Sequence, residues 1–209
     1  MSRGRRSERS EEGTPGEPQA QGRGRRSERS EEGTPGEPTT PTPTTLLLLA
    51  DTHVPRRARD LPAAVWDEVE RADVVVHAGD WVDVALLDAL EARSRRLVAC
   101  YGNNDGPALR ERLPLVAHAD VGGLRLGVVH ETGQAAGREA RCDAAHPGID
   151  VLVFGHSHIP WDSVTPAGMR LLNPGSPTDR RRQPACTYAT ATVHDGALAD
   201  VVRHRLPPR

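Results

Sequence analysis

Five short apolar runs in this chain each end on residues that can bind a metal ion. Residues 46–50 (LLLLA) lead into Asp51-Thr52-His53, and residues 74–78 (VVVHA) lead into Gly79-Asp80. Residues 97–101 (LVACY) lead into Gly102-Asn103-Asn104-Asp105, and residues 124–129 (LRLGVV) into His130. Residues 151–154 (VLVF) lead into Gly155-His156-Ser157-His158. Carboxylate, imidazole and amide oxygen, with no thiolate among them, suit a borderline divalent cation such as Mn, Fe, Zn, Ni or Co. Asp51, His53, Asp80, Asn103, His130, His156 and His158 are too many for one tetrahedral site and suit two metals, which a carboxylate such as Asp80 can bridge. Two cations ~3.5–4 Å apart hold a hydroxide for in-line attack at phosphorus. Asp-x-His and His-x-His send both side chains the same way if their backbone is extended. Taken singly, each piece is commonplace: a Gly-Asp is usually a turn, and a His at a strand end is usually structural. The ordered set, each member after a strand, carries the argument.

Those residues need elements that deliver them to one place. Residues 46–50, 73–79, 95–102 and 149–155 read as buried strands. Residues 61–72 have helical apolar spacing with Pro62 near the start, and 83–92 form a second helix. Residues 115–121 and 124–130 flank Gly122-Gly123 as a hairpin. Residues 134–145 are weakly helical. Residues 163–173 and 186–206 read as further hairpins turning at Ala167-Gly168 and Asp195-Gly196. β-α-β units first and antiparallel strands later predict an α/β domain of two packed mixed sheets with outer helices. In open α/β sheets the carboxyl ends of the strands form the ligand crevice, so the candidate ligands converge there.

The remaining composition narrows the function classes. The 209 residues are 36% hydrophobic but only 3% aromatic, so the core must be built from Val, Leu and Ala. A net charge of −2 points to neither a nucleic-acid surface nor an acidic tail. Residues 3–18 recur letter for letter as residues 23–38, and TTPTPTT follows. With almost no aliphatic residue, 1–45 reads as a disordered leader, and 46–209 as the folded domain. Glutamates interleaved with its arginines argue against nucleic-acid binding. Cys100, Cys142 and Cys186 match no disulfide or zinc spacing and read as reduced structural thiols. The polar N-terminus does not resemble a secretory signal, and no apolar run reaches the ~20 residues of a membrane span. A cytoplasmic location is expected.

The ordered motif Asp51-x-His53, Gly79-Asp80, Gly102-Asn103-x-Asp105, His130, Gly155-His156-x-His158 resembles the calcineurin-like metallophosphoesterase superfamily. Its small single-domain prokaryotic phosphodiesterase branch is the nearest likeness, over residues 46 to about 193. The resemblance implies a four-layer α-β-β-α sandwich of two mixed sheets. It implies one metal on Asp51, His53, Asp80 and His158, and a second on Asp80, Asn103, His130 and His156. It implies two divalent cations, with Mn preferred over Ni, Fe, Zn or Co, a small phosphoester substrate, no membrane partner, and dimers or tetramers. The implied activity is hydrolysis of phosphodiesters, and of phosphomonoesters to a lesser degree, through a metal-bridging hydroxide. Asn173-Pro174-Gly175-Ser176 matches a structural loop of the same branch.

Two departures bear on the chemistry. Many members have His after the ligand Asn, whereas this chain has Asn104, which donates a hydrogen bond but is no general acid at neutral pH. Asn104 is therefore expected to bind substrate and stabilise developing charge, with diesters favoured over monoesters. Glu131 follows His130 where the branch usually has Gly; it can orient His130, crowd the entrance or face solvent, and solvent is the expectation. Asp105 is expected to orient the Asn loop or hydrogen-bond a ligand His, with a turn-capping role equally open. His77 reads as a core histidine. Arg180, Arg181 and Arg182 follow the Asn-Pro-Gly-Ser loop, and Arg180 and Arg181 are candidates to attract a phosphate. The alternative function is a binding protein of the same fold, since the branch is also similar to a metal-free scaffold subunit of eukaryotic membrane-trafficking coats.

Overall fold

The computed structural model describes residues 42–208, so the repeated segments lie outside the described residues. The order is β1 (Thr44–Leu49), α1 (Ala63–Arg71), β2 (Val74–Ala78), α2 (Val84–Arg93), β3 (Leu97–Cys100), α3 (Pro107–Arg112), β4 (Val116–Val121) and β5 (Leu124–Val129). Then come α4 (Arg138–Ala145), β6 (Val151–Phe154), β7 (Trp161–Val164), β8 (Arg170–Asn173), β9 (Thr187–His194) and β10 (Ala197–Arg205). β1 starts two residues ahead of the apolar run because Thr44 and Thr45 continue its ladder opposite Val193 and Thr192. Thr45 also exchanges hydrogen bonds with Asp73 at the head of β2.

The strands form two mixed five-stranded sheets, ordered β10-β9-β1-β2-β3 and β4-β5-β6-β8-β7. β1, β2 and β3 run parallel in the first. β5, β6 and β8 run parallel in the second. Period-two alternation explains the layers. Leu46, Leu48, Val74 and Val76 face the other sheet and meet Leu124, Leu126, Val128 and Val153. Leu47, Leu49 and Val75 face outward under Val65, Trp66 and Val69 of α1 and Leu86, Leu87 and Leu90 of α2. Leu152, Phe154 and Leu171 take Cys142 of α4 on the opposite outer face. This is the expected four-layer α-β-β-α sandwich.

Local signals hold at the ends. Asp83 caps α2 by accepting from the Ala85 N–H at 2.9 Å. Asp195 and Gly196 both adopt positive φ (49° and 74°), the requirement of the tight turn between β9 and β10. The helix α3 was not anticipated. It is a short turn opened by Gly106-Pro107, with Leu109 its buried anchor.

Leu126 is fully buried between the sheets. Leu126→Ala is expected to lower unfolding free energy by about 2–5 kcal/mol, whereas Val164→Ala, 63% exposed, changes it by under about 0.5. Urea denaturation of the two variants checks this.

Candidate metal centre

The five expected strand ends come together from both sheets. β1, β2 and β3 of one sheet and β5 and β6 of the other present Asp51/His53, Asp80, Asn103, His130 and His156/His158 to one crevice. Backbone bonds lace the loops into a fixed array. Asp51 N–H donates to the Gly79 carbonyl at 3.0 Å, and His53 N–H to the Asp80 carbonyl at 2.9 Å. The His156 N–H crosses between the sheets to Asp51 Oδ1 at 3.0 Å.

The backbone that aims these side chains is left-handed. Asp51, His53, Asp80, His156 and His158 have φ of 54°, 45°, 61°, 69° and 57°. Asp-x-His and His-x-His would send both side chains one way if extended; both residues of each pair are instead left-handed, and His158 meets His53 while His156 meets Asn103. Such a conformation costs a non-glycine residue about 1–3 kcal/mol and persists where the surroundings enforce it. Gly102 answers a different need. A Cβ there would collide with the Asp80 backbone nitrogen and carboxylate, so only glycine lets the third loop approach the second.

The side chains form two clusters of acceptors joined at Asp80. In one, His53 Nε2 lies 3.1 Å from His158 Nε2 and 3.5 Å from Asp80 Oδ2, and His158 Nε2 lies 3.4 Å from Asp51 Oδ1. In the other, His130 Nε2 lies 3.3 Å from Asp80 Oδ1 and 3.0 Å from Asn103 Oδ1, which is 2.9 Å from His156 Nδ1. Second partners fix two of the rings. His130 Nδ1 faces the Ala78 carbonyl at 2.7 Å, and His158 Nδ1 the Asp179 carbonyl at 2.6 Å. A carbonyl only accepts, so Nδ1 carries the proton and a neutral ring turns its Nε2 lone pair inward. The His158 lone pair then faces the Asp51 carboxylate at 3.4 Å, and Asp51 Oδ2 is buried with no hydrogen-bond partner. A cation resolves both conflicts, so the donor set fits divalent metal binding.

The titration behaviour has the same origin. Burial pushes Asp51 up to about 7, and the Asp80 charge adds to it. Burial also acts to raise Asp80, but the His130 ring and the Asn104 donors outweigh it and hold Asp80 well below the usual carboxylate range. His130 is drawn upward, the Asp80 and Asp51 charges prevailing over burial. Burial lowers His158 to about 4, which keeps that ring neutral.

Residues 45–196 match the model of the calcineurin-like phosphoesterase superfamily domain. The chain belongs to that superfamily. It is 34% identical over 134 residues to a probable metallophosphoesterase of Methanocaldococcus jannaschii, covering 63% of this chain and 67% of the relative. It is 32% identical over 162 residues to a probable metallophosphoesterase of Methanothermobacter thermautotrophicus, covering 77% and 92%. The crystal structure of Vps29 from Chaetomium thermophilum superposes with a TM-score of 0.63 at 21% identity, covering 78% and 97%, a likeness of fold alone.

Other residues of this superfamily member support the candidate ligands. Asn104 turns its amide onto Asp80: Nδ2 donates to Oδ2 at 2.6 Å and its backbone N–H to Oδ1 at 2.9 Å. Asp105 is buried and accepts from the backbone N–H groups of Gly102 at 2.7 Å, Val82 at 2.8 Å and Asp80 at 3.1 Å. Its carboxylate therefore holds the loops and does not point into the crevice. Arg110 donates to the carbonyls of Gly102, Asn103 and Asp105. Asn173 donates to the Gly155 carbonyl at 2.8 Å and Ser176 to the Asp51 carbonyl at 2.7 Å, the structural role expected of that loop. Arg181 reaches the His156 carbonyl at 3.3 Å, while Arg180 donates to the Gln183 carbonyl. His77 is a core residue, stacked on Trp81 and bonded to Thr52 at 3.1 Å. Sequence reading missed Arg110 and Asp179. The first had a signal in the Gly106-Pro107 helix start; the second acts through its backbone and had none.

Asp105→Asn would set an amide donor against backbone N–H groups, a mismatch worth about 1–3 kcal/mol. The metal-free variant is expected to melt lower and to bind divalent metal more weakly than the wild type. Thermal melts with chelator and with added Mn(II) check both.

Proposed function

We propose that this superfamily member hydrolyses phosphodiesters, using two divalent cations held by the joined clusters. Asp51, His53, Asp80 and His158 would hold one, and Asp80, Asn103, His130 and His156 the other. The observation that carries the reading is the placement of Asp80, with one carboxylate oxygen toward His53 and the other toward His130. Bound there, the cations supply Lewis acidity and a nucleophile at neutral pH. Mn(II) is our first choice of cation.

The chain's own residues set the rest. Asp105 and Arg110 fix the Asn loop, and Asn104 holds the Asp80 carboxylate in orientation. Asn104 is itself exposed, so the second N–H of its amide could donate to a phosphoryl oxygen. That amide cannot protonate a departing alkoxide. A positioned acid is worth about 10²–10⁴ in rate when the leaving group is poor. Substrates whose leaving group departs as a stable anion are therefore favoured. Monoesters, with a second negative charge and the same need for a proton, are expected to react more slowly than activated diesters. Among the described residues no helix is long and apolar enough to cross a membrane.

The test is hydrolysis of bis(p-nitrophenyl) phosphate, p-nitrophenyl phosphate and an alkyl p-nitrophenyl diester by the full chain with Mn(II) or chelator, beside Asp80→Ala. Metal-dependent release that disappears in Asp80→Ala is expected, with the aryl diester fastest. Bound metal without turnover on any ester would instead favour a binding protein of the same fold.

A further inference from the structure

A carboxylate borders the open side of the second cluster and has no part in the reading above. Glu131 Oε1 lies 3.9 Å from His156 Nδ1, with the two side chains 52% and 50% exposed. The ligand atoms of His130, Glu131 and His156 all lie within 4.8 Å of one another. Two donors bound to one ion at ~2.0–2.2 Å each can lie up to ~4.4 Å apart. The Glu131–His156 separation is therefore already within the span of a shared cation.

The loop that carries Glu131 is tied in place. Glu131 directly follows the end of β5 and His130. Arg141 gathers the carbonyls of Thr132, Gln134 and Ala136 onto one guanidinium. Arg138, packed over Phe154 and Trp161, lies 3.5 Å from the Gly133 carbonyl. A half-exposed glutamate on a loop anchored in this way is presented to the crevice at small entropic cost.

Charge gives the position its meaning. The first half-site has Asp51 and the shared Asp80; the second has only the shared Asp80 beside the neutral Asn103, His130 and His156. Two dications would bring four positive charges to two carboxylates. A third carboxylate on the second half evens the two sites and adds a hard oxygen donor, which favours Mn(II)-type cations over softer ones. Its place at the open side spares it most of the desolvation cost of a buried charge.

We propose that Glu131 is an additional ligand of the second half-site, binding a divalent cation together with Asp80, Asn103, His130 and His156. The proposal rests on the two-cation reading. The test is calorimetric titration of Mn(II) into the metal-free full chain, comparing wild type, Glu131→Gln and His156→Ala, with thermal melts of each metal-free protein. Two binding events are expected in the wild type. Glu131→Gln should weaken one of them by about tenfold or more and leave the other, and the metal-free melt, unchanged. Two unchanged affinities in Glu131→Gln, alongside loss of one event in His156→Ala, would overturn the role of Glu131 and leave the two-cation reading standing. A single event in the wild type would overturn both.

Discussion

A cluster of carboxylates, imidazoles and an amide oxygen packed within hydrogen-bond distance of one another is the constraint on which this structure turns. His158 Nε2 against the Asp51 carboxylate and the buried, unpartnered Asp51 Oδ2 are unfavourable in isolation. They are held together by a backbone that is itself strained at Asp51, His53, Asp80, His156 and His158. A crevice of this kind exists only because the remainder of the fold stabilises it. What it gains is an already assembled donor set that fits divalent cations.

The stabilisation comes from two levels. The sandwich supplies the bulk, with leucines and valines of β1 and β2 committed on alternate faces to the sheet–sheet core and to the helices. The second level is a layer of polar contacts aimed at backbone. Asp105 gathers three N–H groups, Arg110 three carbonyls, and Ser176 the Asp51 carbonyl. None of these groups needs to touch substrate. Asp105 and Ser176 hold backbone beside the left-handed Asp80 and Asp51, and Arg110 holds the Asn103 loop.

Much of this was legible in the chain itself. The strand ends could be placed because runs such as LLLLA and VLVF stop abruptly at polar residues, and the hairpin at Asp195-Gly196 because few residues tolerate its backbone. Two packed mixed sheets with outer helices followed from element order, and the four-layer sandwich from the resemblance. Two features resisted. Left-handed φ at non-glycine residues has only a weak sequence mark, since Asp and His, though enriched there, are at home in any loop; the extended backbone on which the reading of Asp51-x-His53 depended does not occur. Contacts such as Ser176 to Asp51, or the Asp179 carbonyl to His158, depend on chain segments far apart in sequence or on backbone atoms common to all residues. Glu131 shows a third limit: an acidic residue expected to face solvent is indeed half exposed, yet the fold turns its carboxylate toward His156.

The central claim is that the acceptor clusters on either side of Asp80 hold two cations. Anomalous diffraction from crystals grown with Mn(II) addresses it most directly. Two peaks ~3.5–4 Å apart, one beside Asp51, His53 and His158, the other beside Asn103, His130 and His156, with Asp80 between them, are the predicted result. A single peak, or none within the crevice at saturating metal, would contradict it.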